Sequence, residues 1–158
     1  MITHKATVKL FGALYSITGE GEPTTATAGV LGDIYLDTDA DSLTYGNTWM
    51  LSEIDGSEYT WTLDNREDAR INLAIERVEQ DYLRMRGKPF DKDDAGDIVY
   101  PPGAAGVAAE MALYVLGITQ GRGAASEGVA DNSKSYEKKY AGYPVSLVAQ
   151  VERFVGVV

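Results

Sequence analysis

Acidic residues at alternate positions are the first chemical signal in this chain. Asp37, Asp39 and Asp41 imitate the opening of a calcium loop, where carboxylates two residues apart converge on one ion. Ser42 stands where that loop needs glycine, and Thr48 replaces its closing glutamate. Asp91, Asp93, Gly96 and Asp97 form a second partial match, with Ala95 and Pro102 at two ligand positions. Neither group has the bidentate acid. Both read as solvated turns whose carboxylates bond nearby amides, so no metal is expected. Gly121-Arg122-Gly123 hints at a phosphate cradle, but no strand precedes it and no Gly-Lys-Ser/Thr follows. The chain has no cysteine and one histidine, His4, near an end expected to fray. Glu110, the lone acid of an apolar stretch, reads as an edge residue or as the partner of an arginine on the preceding helix. With no nucleophile–base pair, metal set or phosphate loop, the expectation is a protein that is not an enzyme and needs no cofactor.

The elements that position these residues fall into two parts. Residues 1–64 hold eleven of the 12 threonines and both tryptophans, which favours strands. They carry Lys5 and Lys9 against ten acids, a net −8, whereas residues 65–158 carry 12 bases and 14 acids, a net −2. The acidic first part disfavours tight binding of nucleic acid. Beyond residue 64 the composition turns to Ala, Leu, Val, Glu and Arg, which suit helices. The reading is α+β: a β-rich acidic module over 1–63, built of hairpins, then a small three-to-four-helix bundle over 64–158 with a long loop before the last helix. No run of about 18 apolar residues exists, so no membrane span is expected. Met1 to Leu14 lacks the apolar core of a signal peptide.

Within the first part, Val8 and Leu10 alternate with polar neighbours, which predicts a strand. Residues 18–29 read as an exposed loop. Ile34 and Leu36 predict a strand with Asp33, Tyr35 and Asp37 outward. Gly46-Asn47 and Asp55-Gly56 read as two-residue hairpin turns. Tyr59, Trp61 and Leu63 then share one face, either a stacking platform for sugars or bases or, as burial statistics favour, a small aromatic core.

In the second part, Asp64 and Glu67 have capping-box spacing. Ile71, Ile75, Val78, Tyr82 and Met85 form the apolar stripe of a helix ending at Arg86-Gly87. Arg66, Arg70, Arg77 and Arg84 lie off the stripe among acids, as on a salt-bridged solvent face. A second helix follows Pro101-Pro102 and ends at Gly117 or Gly121. Its sole charged residue is Glu110. A last helix opens at Pro144, with Leu147, Val148, Val151, Phe154 and Val155 as its stripe. Residues 121–142 between them are too long for an ordinary connection.

Two resemblances follow. Gly32-Asp33-Ile34-Tyr35-Leu36-Asp37-Thr38 with Tyr45 and Trp49 resembles a short β module of phage tail-fibre and other virion proteins. An amphipathic helix ending in Arg-Gly-Lys-Pro-Phe, an Ala-rich helix, the loop Ser126 to Tyr136 and a short helix opened by Tyr143-Pro144 resemble the head–tail connector adaptor (head-completion) proteins of tailed phages, over residues 64–158. That resemblance implies a structural virion protein, made in the host cytoplasm and located in the head–tail neck. It would assemble with itself as a ring, commonly of twelve, dock under the portal protein, and offer a surface to a downstream neck or tail protein. DNA would pass through the channel without tight binding. The long loop would reach a neighbouring subunit or the portal. Its candidate contact residues are Arg122, Ser126, Glu127, Val129, Asp131, Ser133, Lys134, Tyr136, Lys138 and Lys139. The alternative is a virion-associated binding module whose β-rich part contacts carbohydrate or another virion protein.

Overall fold

The computed structural model describes residues 1–118 and 139–151, together with the backbone of strands 124–127 and 134–136. The chain is α+β, with a four-stranded sheet in its N-terminal half and four helices among the described residues. Two compact units divide it: His4–Leu73, and Met1–Thr3 with Ala74–Val158. The composition changes near Asp64, whereas the units part inside a helix.

The first unit opens with helix α1 (Lys5–Phe11), where the alternation predicts a strand. His4 decides the matter locally. Its Nδ1 accepts the Ala6 N–H at 3.2 Å, which caps the helix, and its ring stacks on Tyr45 at 4.5 Å. The residue expected to fray is therefore anchored. Val8 and Lys9 are both buried, which strand alternation does not allow.

Strands β1 (Ile17–Gly19), β2 (Ile34–Asp37), β3 (Thr48–Asp55) and β4 (Glu58–Leu63) lie in that order across the sheet. β1 runs parallel to β2, and the other pairs are antiparallel. β1 takes the start of the expected 18–29 loop. The pairs Tyr35↔Trp49 and Leu51↔Trp61 set the register. Tyr35 packs edge-on against Trp49 and Trp61 at 5.9 and 5.8 Å, and Trp61 Nε1 donates to the Thr27 carbonyl at 2.9 Å. These three rings form an aromatic cluster that takes only Trp61 from the expected face, where Tyr59 is half-buried and Leu63 exposed. β2 differs from its expected half-buried pattern, because Tyr35, Leu36 and Asp37 are all buried.

Both expected turns are shifted. β2 joins β3 through Thr38–Asn47, so Gly46-Asn47 is the end of a longer connection. In the other hairpin, Asp55 closes β3 opposite Glu58, and the turn is Gly56-Ser57. Gly56 has φ +60°, the one positive value in that turn, and glycine takes it without a Cβ clash.

Helix α2 (Asp68–Arg86) begins later than a capping box at Asp64 requires. Asp64 turns its carboxylate to the Arg66 guanidinium, at 2.7 Å to both Nε and Nη2, and gives its own N–H to the Thr48 carbonyl. Ile71 N–H bonds the Glu67 carbonyl, so the helix opens there. Ile71, Ala74, Ile75, Val78 and Tyr82 are buried along the expected stripe, and Arg86, not Met85, completes it. Arg70, Arg77 and Arg84 pair with Glu67 and Asp81 on the solvent side.

In the second unit, a ribbon of β5 (Asp91–Lys92) and β6 (Ile98–Val99) precedes α3 (Ala104–Leu116). Ala104, Ala108, Ala109, Met111, Ala112, Leu113 and Leu116 of α3 are buried, as its apolar sequence requires. The 121–142 segment, expected as a loop, contains strands β7 (Ala124–Glu127) and β8 (Lys134–Tyr136), paired antiparallel. β9 (Lys139–Tyr140) and β10 (Tyr143–Pro144) follow as a tight hairpin. Helix α4 (Val145–Val148) is one turn long and buries Leu147 and Val148, and Val151 is buried beyond its end. Phe154 and Val155 of its expected stripe lie outside the described residues.

Candidate functional site

Tyr143 is the centre of the site. It is 2% exposed, and its hydroxyl donates to Asp81 Oδ2 at 2.9 Å. Asp81 in turn accepts Arg84 at 3.0 Å and faces Arg77 at 3.8 Å, both one turn away on α2. Burial, then the bond to Asp81 and its charge, push the Tyr143 phenol well above the usual range. It stays a protonated donor at any physiological pH. The Tyr143 ring lies 6.0 Å from Tyr114 of α3, and Lys139 Nζ sits 5.2 Å over that same Tyr114 ring. Two tyrosines and an acid thus fix β9–β10 on the helices of this unit. Chemically the arrangement binds and positions.

The turn between these strands is strained. Ala141 has φ +53° and Gly142 φ +91°, the two positive values that a primed hairpin turn demands. Alanine in that region costs about 1–2 kcal/mol, and the Tyr143 anchor holds it there.

β7–β8 emerges immediately before this anchored foot. Ala124 stands opposite Tyr136, Ser126 opposite Ser135 and Glu127 opposite Lys134, with a register shift between the first two pairs. The strand pair therefore brings four of the sequence-derived contact residues, Ser126, Glu127, Lys134 and Tyr136, onto one ribbon. Lys139 is exposed at its foot. Arg122, Val129, Asp131, Ser133 and Lys138 lie outside the described residues.

The other sequence signals are absorbed locally. Asp37 is fully buried, and its carboxylate accepts Gly21 N–H and Asp39 N–H at 2.9 Å and the Thr44 hydroxyl at 2.8 Å. Burial alone would raise it; these bonds and one from Ser42 more than offset that and hold it below the usual carboxylate range. Asp39 bonds Asp41 N–H, and Asp93 bonds Ala95 and Asp97 N–H, in turns of the kind expected. Among the described residues no three His, Asp or Glu side chains stand where they could share a metal ion. Glu110 is half-buried on α3.

Sequence reasoning missed a second polar centre, in the first unit. Asp68 receives Lys5 Nζ at 2.5 Å and Lys9 Nζ at 2.6 Å. Lys9 is 3% exposed and also donates to the Gly46 carbonyl at 2.9 Å and Thr48 Oγ1 at 3.2 Å. Lys5 reaches Asn47 Oδ1 at 2.7 Å. Burial pushes the Lys9 ammonium below its usual value against the pull of Asp68. This centre joins α1, the start of β3 and the first turn of α2. The one signal for it was two isolated lysines, four residues apart, in a strongly acidic stretch.

No protein-family model, curated protein or solved structure matches the chain. No helix among the described residues is long and apolar enough to cross a membrane.

Proposed function

We propose that this chain is a structural, ring-forming adaptor of the head–tail neck of a tailed phage, docking under the portal and extending the DNA channel. The supporting observation is the β7–β8 ribbon rooted at Tyr143. Its strands pair with each other alone among the described residues. A two-stranded ribbon is marginal in water without a third strand or a covering surface. A neighbouring subunit supplies that surface in a ring. The rigid foot fixes where the ribbon leaves its own subunit, so every copy presents it alike, as a heterologous, closing interface requires. The net charge of −10 suits a wall past which DNA slides, and binding to duplex DNA is expected to be weak and salt-sensitive.

A second reading, in which the β-rich unit contacts another virion protein, is favoured by Val30 and Leu31. They are 71% and 60% exposed on a turn pinned by Asp33, which accepts Val30 N–H at 2.7 Å and gives its own N–H to the Val30 carbonyl at 2.9 Å. Carbohydrate stacking on the Tyr59, Trp61 and Leu63 face has less support, since Trp61 packs against Tyr35 and gives its Nε1–H to the Thr27 carbonyl.

Native mass spectrometry with negative-stain imaging of the full chain, alone and with portal protein, tests the proposal. The expected result is a closed ring with a central channel, alone or templated by the portal. A monomer under both conditions, at concentrations up to hundreds of micromolar, contradicts it.

A further inference from the structure

The β5–β6 ribbon carries an open strand. β6 pairs with β5 and with no other strand among the described residues. Ile98 and Val99 are each 48% exposed, and successive residues of a strand point to opposite faces. Both faces of β6 are therefore open, although two adjacent β-branched residues suit a strand covered on both sides. Its outer edge is open as well. Asp93 N–H donates to the Asp97 carbonyl at 2.9 Å, and Lys92 stands opposite Ile98. Antiparallel alternation then turns the Ile98 N–H and carbonyl away from β5.

The ribbon is rigid at both ends. At its tip Asp93 Oδ1 accepts the Ala95 and Asp97 amides at 3.0 and 2.8 Å. At its base Phe90 packs edge-on against Tyr100 at 4.8 Å, and Arg86 lies over the Phe90 ring at 5.3 Å. The Tyr100 hydroxyl donates to Glu79 at 2.9 Å. A strand held this way loses little freedom on docking a partner. Charge selects that partner. Arg86 and Lys88 pair with Asp91, while Asp93, Asp94 and Asp97 crowd the exposed tip with Lys92.

We propose that β6 is a strand-addition site for an extended segment of another protein, apolar at alternate positions and flanked by Lys or Arg. The main-chain groups of Ile98 supply ladder bonds, the side chains of Ile98 and Val99 gain cover, and the acidic tip meets the basic flank. A second copy of this chain would bring an equally acidic hairpin, so the occupant is a different chain.

The test uses the full-length protein, labelled for amide-resolved exchange. It is titrated with the synthetic peptide acetyl-Lys-Ile-Thr-Val-Lys-amide, and with a counterpart carrying Glu in place of both Lys. The proposal expects saturable binding that slows exchange at the Ile98 amide, with the Lys-flanked peptide about tenfold tighter than the Glu-flanked one. Asp94→Asn with Asp97→Asn, which leave the backbone bonds intact, should erase that preference. Ile98→Pro should abolish binding. Protection at other strands, equal affinity for both peptides, self-association through β6, or no binding up to millimolar peptide would each overturn it.

Discussion

Each of the two units of this chain is held together internally by its own kind of contact. In His4–Leu73 the decisive contacts are polar and buried: Lys9 with three acceptors around it, Asp37 with amide and hydroxyl donors, and Lys5 and Lys9 sharing Asp68. In the unit that begins at Ala74, apolar helix faces supply most of the interior, and beside the buried Arg86, which reaches Pro89 and Asp91, the polar contacts are tyrosine hydroxyls bonded to acids on α2. The first kind of interior specifies its loops tightly and tolerates little loss, because removing one partner strands a desolvated charge. The second loses stability by degrees.

Asp68→Asn is therefore expected to cause the largest loss of stability. It leaves two ammonium groups against a neutral amide, one of them nearly without solvent, and should cost about 3–5 kcal/mol. Chemical denaturation measures it. A loss under about 1 kcal/mol would mean that the lysines escape to water and that the polar centre is not what holds α1.

Tyr143→Phe probes the other unit and should cost less, about 1.5–3 kcal/mol, the range for a hydrogen bond to a charged group. Its pH signature is separate. Burial pushes Tyr100 up to about 12, and Tyr143 is raised as well. Both keep their protons in the folded chain after unfolded tyrosine begins to ionise near pH 10. The unfolded state then binds fewer protons, so the contribution of these groups is complete below pH 10 and is lost as pH rises through the folded values. Melting temperature between pH 9 and 11.5 should fall less steeply in Tyr143→Phe than in the parent chain. Parallel curves would show that the hydroxyl contributes nothing.

The smallest effect has the opposite sign. Ala141→Gly removes a Cβ from a left-handed position and should stabilise by about 0.5–1 kcal/mol, after allowing for the freer unfolded glycine. A thermal shift assay resolves a change of that size in a chain this short. Destabilisation would show that the turn does not hold Ala141 at positive φ.

The same contrast decides what was legible in the sequence. Helix α2 could be read because Ile71, Ile75, Val78 and Tyr82 repeat at helical spacing, and each is buried. Its start could not: Asp64 has the right spacing for a cap but a stronger partner in Arg66. The N-terminal unit resisted for a physical reason. Lysine and aspartate read as solvent-facing, so nothing marked Asp37 as interior, and for Lys9 the one hint was its isolation with Lys5 in an acidic stretch. Val8 and Leu10 then mimicked a strand, since the buried residue between them was a lysine. Asp55-Gly56 slipped by one position because glycine alone satisfies the turn when it comes first, and Asp55 was free to end β3. At the candidate site the length of 121–142 singled out the segment that carries β7 and β8. Its pairing as β7–β8 was hidden among small and polar residues, and the Tyr143–Asp81 bond spans 62 positions, beyond any local pattern.

Replacing residues 124–139 with a short Gly-Ser linker, and comparing the mass of the assembled species with that of the parent chain, tests the central claim most directly. The account predicts a shortened chain that still melts cooperatively, with Tyr143 bonded to Asp81, but stays monomeric and fails to complete a ring on the portal. Rings of the parental mass from the shortened chain would contradict it, because the ribbon would then not be the contact that joins one subunit to the next.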